Sequence, residues 1–248
     1  MLRNVNGVRP VGRGGWFVVV GMWLALGSCD APQPAGKTPA TVPVAAKPSA
    51  AAPTVSTSPS VPKPEPKDKV RKHWKVVTEA DFESHGKVYA KDGTIVLEAG
   101  SPMTGIVWTG PLPTEDYEVT LEAMRVEGSD FFCGMTFPVG DSPCTFIIGG
   151  WGGCVVGLSN VDDMNASENE TTSAPTFENG QWYRIRLRVT KETIKAWVGG
   201  EKMFELARRD RRFSVWDEQL PCRPLGIATW FTKAALRDFA IRKLKDTP

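Results

Sequence analysis

Histidine is almost missing from this 248-residue chain: His73 and His85 are the only two, and both lie upstream of the cysteines of the folded part. Cysteine is sparse too, at five residues, with no close pair at zinc-type spacing. Both absences argue against a metal centre built from imidazole and thiolate. The formal net charge is only +2, so charge alone implies neither a nucleic-acid partner nor a strongly acidic one. No apolar run reaches the roughly 20 residues of a comfortable bilayer span. From Lys72 onward no amphipathic helix of convincing length can be traced.

What is present changes sharply along the chain. Arg3, Arg9 and Arg13 precede an uncharged apolar stretch, Trp16 to Leu26, which ends in Leu26-Gly27-Ser28-Cys29. That order resembles a bacterial lipoprotein signal, with residues 1–28 removed and Cys29 carrying the lipid. It implies a membrane contact through N-terminal acyl chains and a place in the cell envelope, facing the periplasm or the exterior. Asp30 resembles an inner-membrane retention signal of some bacteria, so the choice of membrane stays open. Residues 29–71 are rich in Pro, Ala, Ser, Thr and Lys, with ten prolines between Pro32 and Pro66. Such a stretch has no core to bury and is expected to be a disordered tether. At about 3.1 Å per residue in polyproline II form it reaches on the order of 100 Å.

Residues 72–246 read as one all-β domain. Thirteen short strand-like runs are separated by Gly, Pro, Asn and Asp, with hairpin signals at Asp92-Gly93 and Gly199-Gly200. Alternation is clearest where Tyr117, Val119, Leu121 and Ala123 share a face, and where Trp182, Arg184, Arg186 and Arg188 alternate with Tyr183, Ile185, Leu187 and Val189. Each strand therefore has a core face and a wet face, which predicts a two-sheet antiparallel β-sandwich of jelly-roll type. In an oxidising compartment Cys133, Cys144, Cys154 and Cys222 allow two disulfides in three pairings, with burial as the other default.

Four segments in the second half are more specific than the strand count. They are Gly180-Gln-Trp-Tyr-Arg-Ile-Arg-Leu-Arg-Val-Thr190, Ile194-Lys-Ala-Trp-Val-Gly-Gly200, Pro224-Leu-Gly-Ile-Ala-Thr-Trp230 and Ala235-Leu-Arg-Asp-Phe-Ala-Ile-Arg242. Together they resemble the closing strands of concanavalin A-like lectin/glucanase domains, in the branch named for 3-keto-disaccharide hydrolases. The resemblance spans about residues 75–244 and implies a sandwich fold and a carbohydrate ligand. Where enzymatic members carry polar segments, this chain has Ser129-Asp130-Phe131-Phe132-Cys133-Gly134 and Thr145-Phe146-Ile147-Ile148-Gly149-Gly150.

Candidate chemistry falls in three places. Glu118, Thr120 and Glu122 point the same way along one strand, where laminarinase-type relatives of this fold place Glu-x-Asp-x-Glu. Glu118 and Glu122, with Asp130, are the candidate catalytic acids or bases. Trp108, Trp151 in its Gly149-Gly-Trp-Gly-Gly153 setting, and Trp230 are candidate stacking surfaces for sugar rings. The loop Asn160 to Thr172 offers Asn160, Asp162, Asp163, Glu168 and Asn169 as oxygen ligands to sugar hydroxyls or to calcium, with a solvated loop as the other reading. Arg208-Arg209-Asp210-Arg211-Arg212 is a basic cluster without any nucleic-acid module beside it. Three readings follow: a lipid-anchored module binding carbohydrate or cell-envelope glycan, a glycoside-cleaving enzyme, and a structural interaction surface.

Overall fold

Strict alternation of apolar and polar residues forces strands to pair into sheets with one buried face, and two such sheets stack in this protein. The computed structural model describes residues 72–78 and 81–245. The expected signal segment, Cys29 and the tether lie outside the described residues. A six-stranded sheet runs in the order β1 (Trp74–Val76), β4 (Met103–Trp108), β12 (Gly226–Trp230), β6 (Cys133–Val139), β7 (Ser142–Gly150) and β8 (Val155–Ser159). A seven-stranded sheet runs β11 (Glu201–Ala207), β10 (Thr193–Val198), β9 (Trp182–Val189), β5 (Tyr117–Glu127), β13 (Lys233–Lys243), β3 (Thr94–Leu97) and β2 (Val88–Lys91). Every neighbouring pair is antiparallel. The only helical element among the described residues is a 3-10 segment, Asp217–Cys222.

Inward-facing residues of both sheets form one core, including Tyr117, Val119 and Leu121 of β5, Met135 and Phe137 of β6, and Ile185, Leu187 and Val189 of β9. Tyr117 also fastens the sheets together, its buried hydroxyl donating to the Pro138 carbonyl at 2.5 Å. Both expected hairpins form. Asp92-Gly93 and Gly199-Gly200 hold positive φ at both turn positions, 48° and 77°, then 62° and 94°, the backbone that two-residue β-hairpins require.

The outer face of the six-stranded sheet is closed by a second apolar cluster that includes Phe82, Met103, Phe131, Ala166, Cys222 and Ala228. Small residues make room for it. A Cβ on Gly105 would lie 2.7 Å from the Phe82 ring, and one on Gly226 only 2.5 Å from the Cys222 carbonyl oxygen. Among the described residues the outer face of the seven-stranded sheet carries no such layer, and at the end of the sandwich beyond Glu127 the loops leave Trp151 and Phe231 exposed.

Cys133, Cys144 and Cys222 are buried thiols, and the allowed bridges among them do not form. Cys133 pairs with Ile148 and Cys144 with Phe137, four positions apart along the β6–β7 ladder, about 13 Å at 3.4 Å per residue and beyond disulfide reach. Cys222 belongs to the second cluster, on the other side of that sheet. Burial pushes its thiol up to about 12, so it is inert rather than nucleophilic.

Candidate functional site

Glu118 and Glu122 do share the outer face of β5, but neither is a free carboxylate. Glu118 is flanked in register by Arg242 of β13 and Arg188 of β9. Arg242 donates to Oε1 at 2.7 Å, and Arg188 meets Oε2 at 2.8 Å. The stems of these arginines cover it, so the expected wet position is buried, with 3 % exposed. Burial pushes the Glu118 carboxyl up, and Arg242 and Arg188 more than offset this, leaving it below the ordinary carboxylate range. Glu122 is paired with Arg237 at 2.6 Å. A nucleophile or base needs a carboxylate open to substrate, and both of these answer arginines instead.

Asp130 stands apart from that pair, beyond the far end of β5, where three turns meet. Its Oδ1 accepts from the Phe131 N–H at 2.7 Å, its Oδ2 from the Gly152 N–H at 3.1 Å, and its own N–H donates to Thr232 Oγ1 at 3.2 Å. The residue thus joins the Trp151-Gly152 turn to the Phe231-Thr232 turn. Burial holds its carboxyl above the ordinary range, against the pull of the two N–H donors. Beneath the Trp151 turn lies Arg125, which donates to Asn179 Oδ1 and to the Phe177 carbonyl, while its buried Nη1 has no hydrogen-bond partner. A Cβ on Gly153 would fall 2.8 Å from that nitrogen, so only glycine lets the turn lie on the guanidinium.

Around Asp130 the aromatics are turned outward. Trp151 is 48 % exposed and Phe231 54 %, and Trp216, at 43 %, continues the row through Trp230. The Trp216 and Trp230 rings are 5.3 Å apart, and Trp230 and Phe231 are 5.5 Å apart. Trp151 and Phe231 both sit in the left-handed region, at φ 51° and 44°. That backbone is costly for a bulky residue and persists where the surroundings enforce it. Trp151 and Trp230 were legible as candidates; Phe231, Trp216 and Arg125 were not. A Trp-Phe doublet at a strand end, Trp230-Phe231, is the one local signal that would have singled out Phe231.

The remaining candidates do other work. Trp108 is half-buried at another edge, packed against Trp74 and Phe239 at 5.2 and 4.8 Å, with its indole N–H given to the Pro111 carbonyl. Asn169 is buried and structural. Its amide donates to the Leu158, Met164 and Asn165 carbonyls and its oxygen accepts from Thr171, so it has nothing left for a ligand. Asn160 exchanges backbone hydrogen bonds with Ser214. Glu168 accepts from Asn165. Asp162 accepts from the Arg212 N–H and from Arg211, which together hold its carboxyl low, and Asp163 pairs with Arg212 at 2.6 Å. Arg211 and Arg212 of the 208–212 cluster therefore neutralise Asp162, Asp163 and Glu170, while Arg208 pairs with Glu115. Among the described residues no group of three His, Cys, Asp or Glu side chains is placed to hold a metal ion.

A family described as the 3-keto-alpha-glucoside-1,2-lyase-like domain matches residues 67–242. No curated protein matches the chain. Among solved structures, a carbohydrate binding module from Bacillus subtilis is similar at 9 % identity and a TM-score of 0.47, over 68 % of this chain and 95 % of that one. Domain 4 of an extracellular arabinanase from Geobacillus stearothermophilus, solved with arabinotriose, is similar at 14 % identity and a TM-score of 0.45, over 68 % of this chain and 82 % of that one.

Proposed function

The chain belongs to the family of 3-keto-alpha-glucoside-1,2-lyase-like domains, and from that membership we propose that it is a glycan-binding module of the cell envelope. The observation that carries this reading is the aromatic end of the sandwich, where Trp151 and Phe231 stand exposed on two turns joined by Asp130. Exposed indole and phenyl faces suit the C–H faces of sugar rings, and the Asp130 carboxyl and nearby backbone groups suit hydroxyls. In this reading Cys29 carries the lipid, and the proline-rich tether holds the domain near an envelope surface. High local concentration there lets individually weak sugar contacts suffice. The test is a glycan array probed with the full-length protein and with Trp151→Ala and Phe231→Ala. Binding that each substitution weakens supports the reading, and an array with no binder contradicts it. Loss of labelling by a palmitate analogue in Cys29→Ser tests the anchor.

A second reading, cleavage of 3-keto-α-glucosides, is favoured by one observation. Burial raises the Asp130 carboxyl, and a carboxyl that keeps its proton to higher pH suits proton transfer. Release of sugar from a 3-keto-glucoside by the protein, and its loss in Asp130→Asn, would support this reading; no release would end it.

A further inference from the structure

The outer face of the seven-stranded sheet carries a charge pattern that the aromatic end does not use. One row across it reads Arg242, Glu118, Arg188, Lys195 and Glu205, one residue on each of five adjacent strands. The next holds Thr120, Arg186, Trp197 and Lys202, and a third holds Arg237, Glu122 and Arg184. Seven cations thus face three carboxylates within these rows, with Asp238 a fourth carboxylate 3.8 Å from Arg237, on a chain whose formal net charge is only +2. Glu118 serves two arginines, Glu205 serves Lys195 and Lys202, and Glu122 serves Arg237. Among the described residues neither Arg184 nor Arg186 forms an ion pair with a carboxylate.

Arg184, Arg186 and Arg188 lie on one face of β9, about 6.8 Å from one to the next. Glu118 meets Arg188 and Glu122 faces Arg184 in register, but Arg186 lies between Thr120 and Trp197 with no acidic neighbour across the strands. Two guanidiniums lie over tryptophans, Arg186 at 3.7 Å from the Trp197 ring centroid and Arg237 at 4.0 Å from that of Trp182. Arg237 spends its Nε and Nη2 on Glu122, whereas Arg186, stacked on Trp197, has no carboxylate partner among the described residues and keeps the guanidinium fork that grips a planar anion. Five strands at about 4.8 Å make this a track roughly 19 Å wide.

We propose that this face binds an extended anionic polysaccharide, carboxylated or sulfated, lying across the strands. A polysaccharide fits better than an anionic bilayer because the face offers nothing to insert into lipid. Among the described residues the exposed large hydrophobic side chains are Trp151, Met164, Trp216 and Phe231, none of them on these outer rows, and guanidiniums lie over the rings of Trp182 and Trp197. The proposal is independent of the glycan reading of the aromatic end.

The test measures binding of full-length Cys29→Ser protein, which carries no lipid, to polygalacturonate, heparin, neutral dextran and phosphatidylglycerol vesicles. Binding to polygalacturonate or heparin that weakens with added salt, with none to dextran, is the expected result. Arg184→Gln with Lys202→Gln should weaken it by about tenfold at an unchanged melting temperature, while Phe231→Ala leaves it intact. Arg186→Lys, which keeps the charge and loses the fork, should weaken it by a smaller factor. Binding to vesicles but to neither polyanion overturns the proposal. So does polyanion binding that survives the Arg184→Gln, Lys202→Gln change, since the lysines of the tether would then be responsible.

Discussion

Asp130 and Gly152 are joined by a hydrogen bond of 3.1 Å from the Gly152 backbone N–H to Asp130 Oδ2, and through it the exposed Trp151 is positioned by a residue that also holds the Phe231 turn. Asp130→Ala removes the acceptor from one partly buried N–H group, that of Phe131, and from the exposed N–H of Gly152. It should cost about 1–3 kcal/mol, read by denaturant unfolding, and should broaden the tryptophan emission as the Trp151 turn loosens.

The same carboxyl gives a pH signature. Burial raises its folded value above the ordinary one, so the native state binds the proton more tightly than the unfolded chain. The stability this group contributes is complete below the unfolded value of about 3.9 and is lost as pH rises through the folded value. Asp130→Asn should abolish that decline, seen as a flatter plot of melting temperature against pH across the mildly acidic range.

Glu118 behaves in the opposite sense. Its folded value lies below the ordinary one of 4.5, so its stabilisation is present above that value and is lost as pH falls through the folded value. Glu118→Gln should remove this acid-side loss. It should also cost about 1–2 kcal/mol at neutral pH, less than a fully buried pair, because Arg188 and Arg242 are 35 % and 65 % exposed.

Thirteen strands, both two-residue hairpins and the core faces of β5 and β9 were legible in the sequence, because alternation and Gly-containing turns are local signals. Two things were not. Glu118 reads as a wet-face residue, and only cross-strand register reveals that Arg188 and Arg242 bury it. The site end is assembled from turns about a hundred residues apart in sequence, Ser129-Asp130 and Phe231-Thr232, and no local pattern brings those together. Asn169 likewise looked like a ligand until its hydrogen bonds proved to be turned inward on its own loop.

The covering layer of the six-stranded sheet is open to a direct test. Gly226→Ala sets a Cβ 2.5 Å from the Cys222 carbonyl and 2.7 Å from that of Ile106, backbone atoms that cannot swing aside. A loss of about 1–3 kcal/mol in thermal or denaturant unfolding is expected, with the aromatic end unaffected.

Backbone strain at Trp151 separates stability from binding. A left-handed conformation costs a non-glycine residue about 1–2 kcal/mol, and glycine adds about 0.5–1 kcal/mol of unfolded-state entropy in return. Trp151→Gly should therefore hold or raise the melting temperature while removing the stacking surface. A large fall in melting temperature would instead make Trp151 a packing residue.

The most direct measurement is calorimetric titration of the best array glycan into the native protein, Trp151→Ala, Phe231→Ala and the double variant. An aromatic contact contributes about 0.5–1.5 kcal/mol beyond its buried area. Each single change is therefore predicted to weaken binding by about tenfold, and the double change to abolish it, at unchanged folded content. Affinity that is the same in all four proteins would contradict the assignment of the aromatic end as the glycan site.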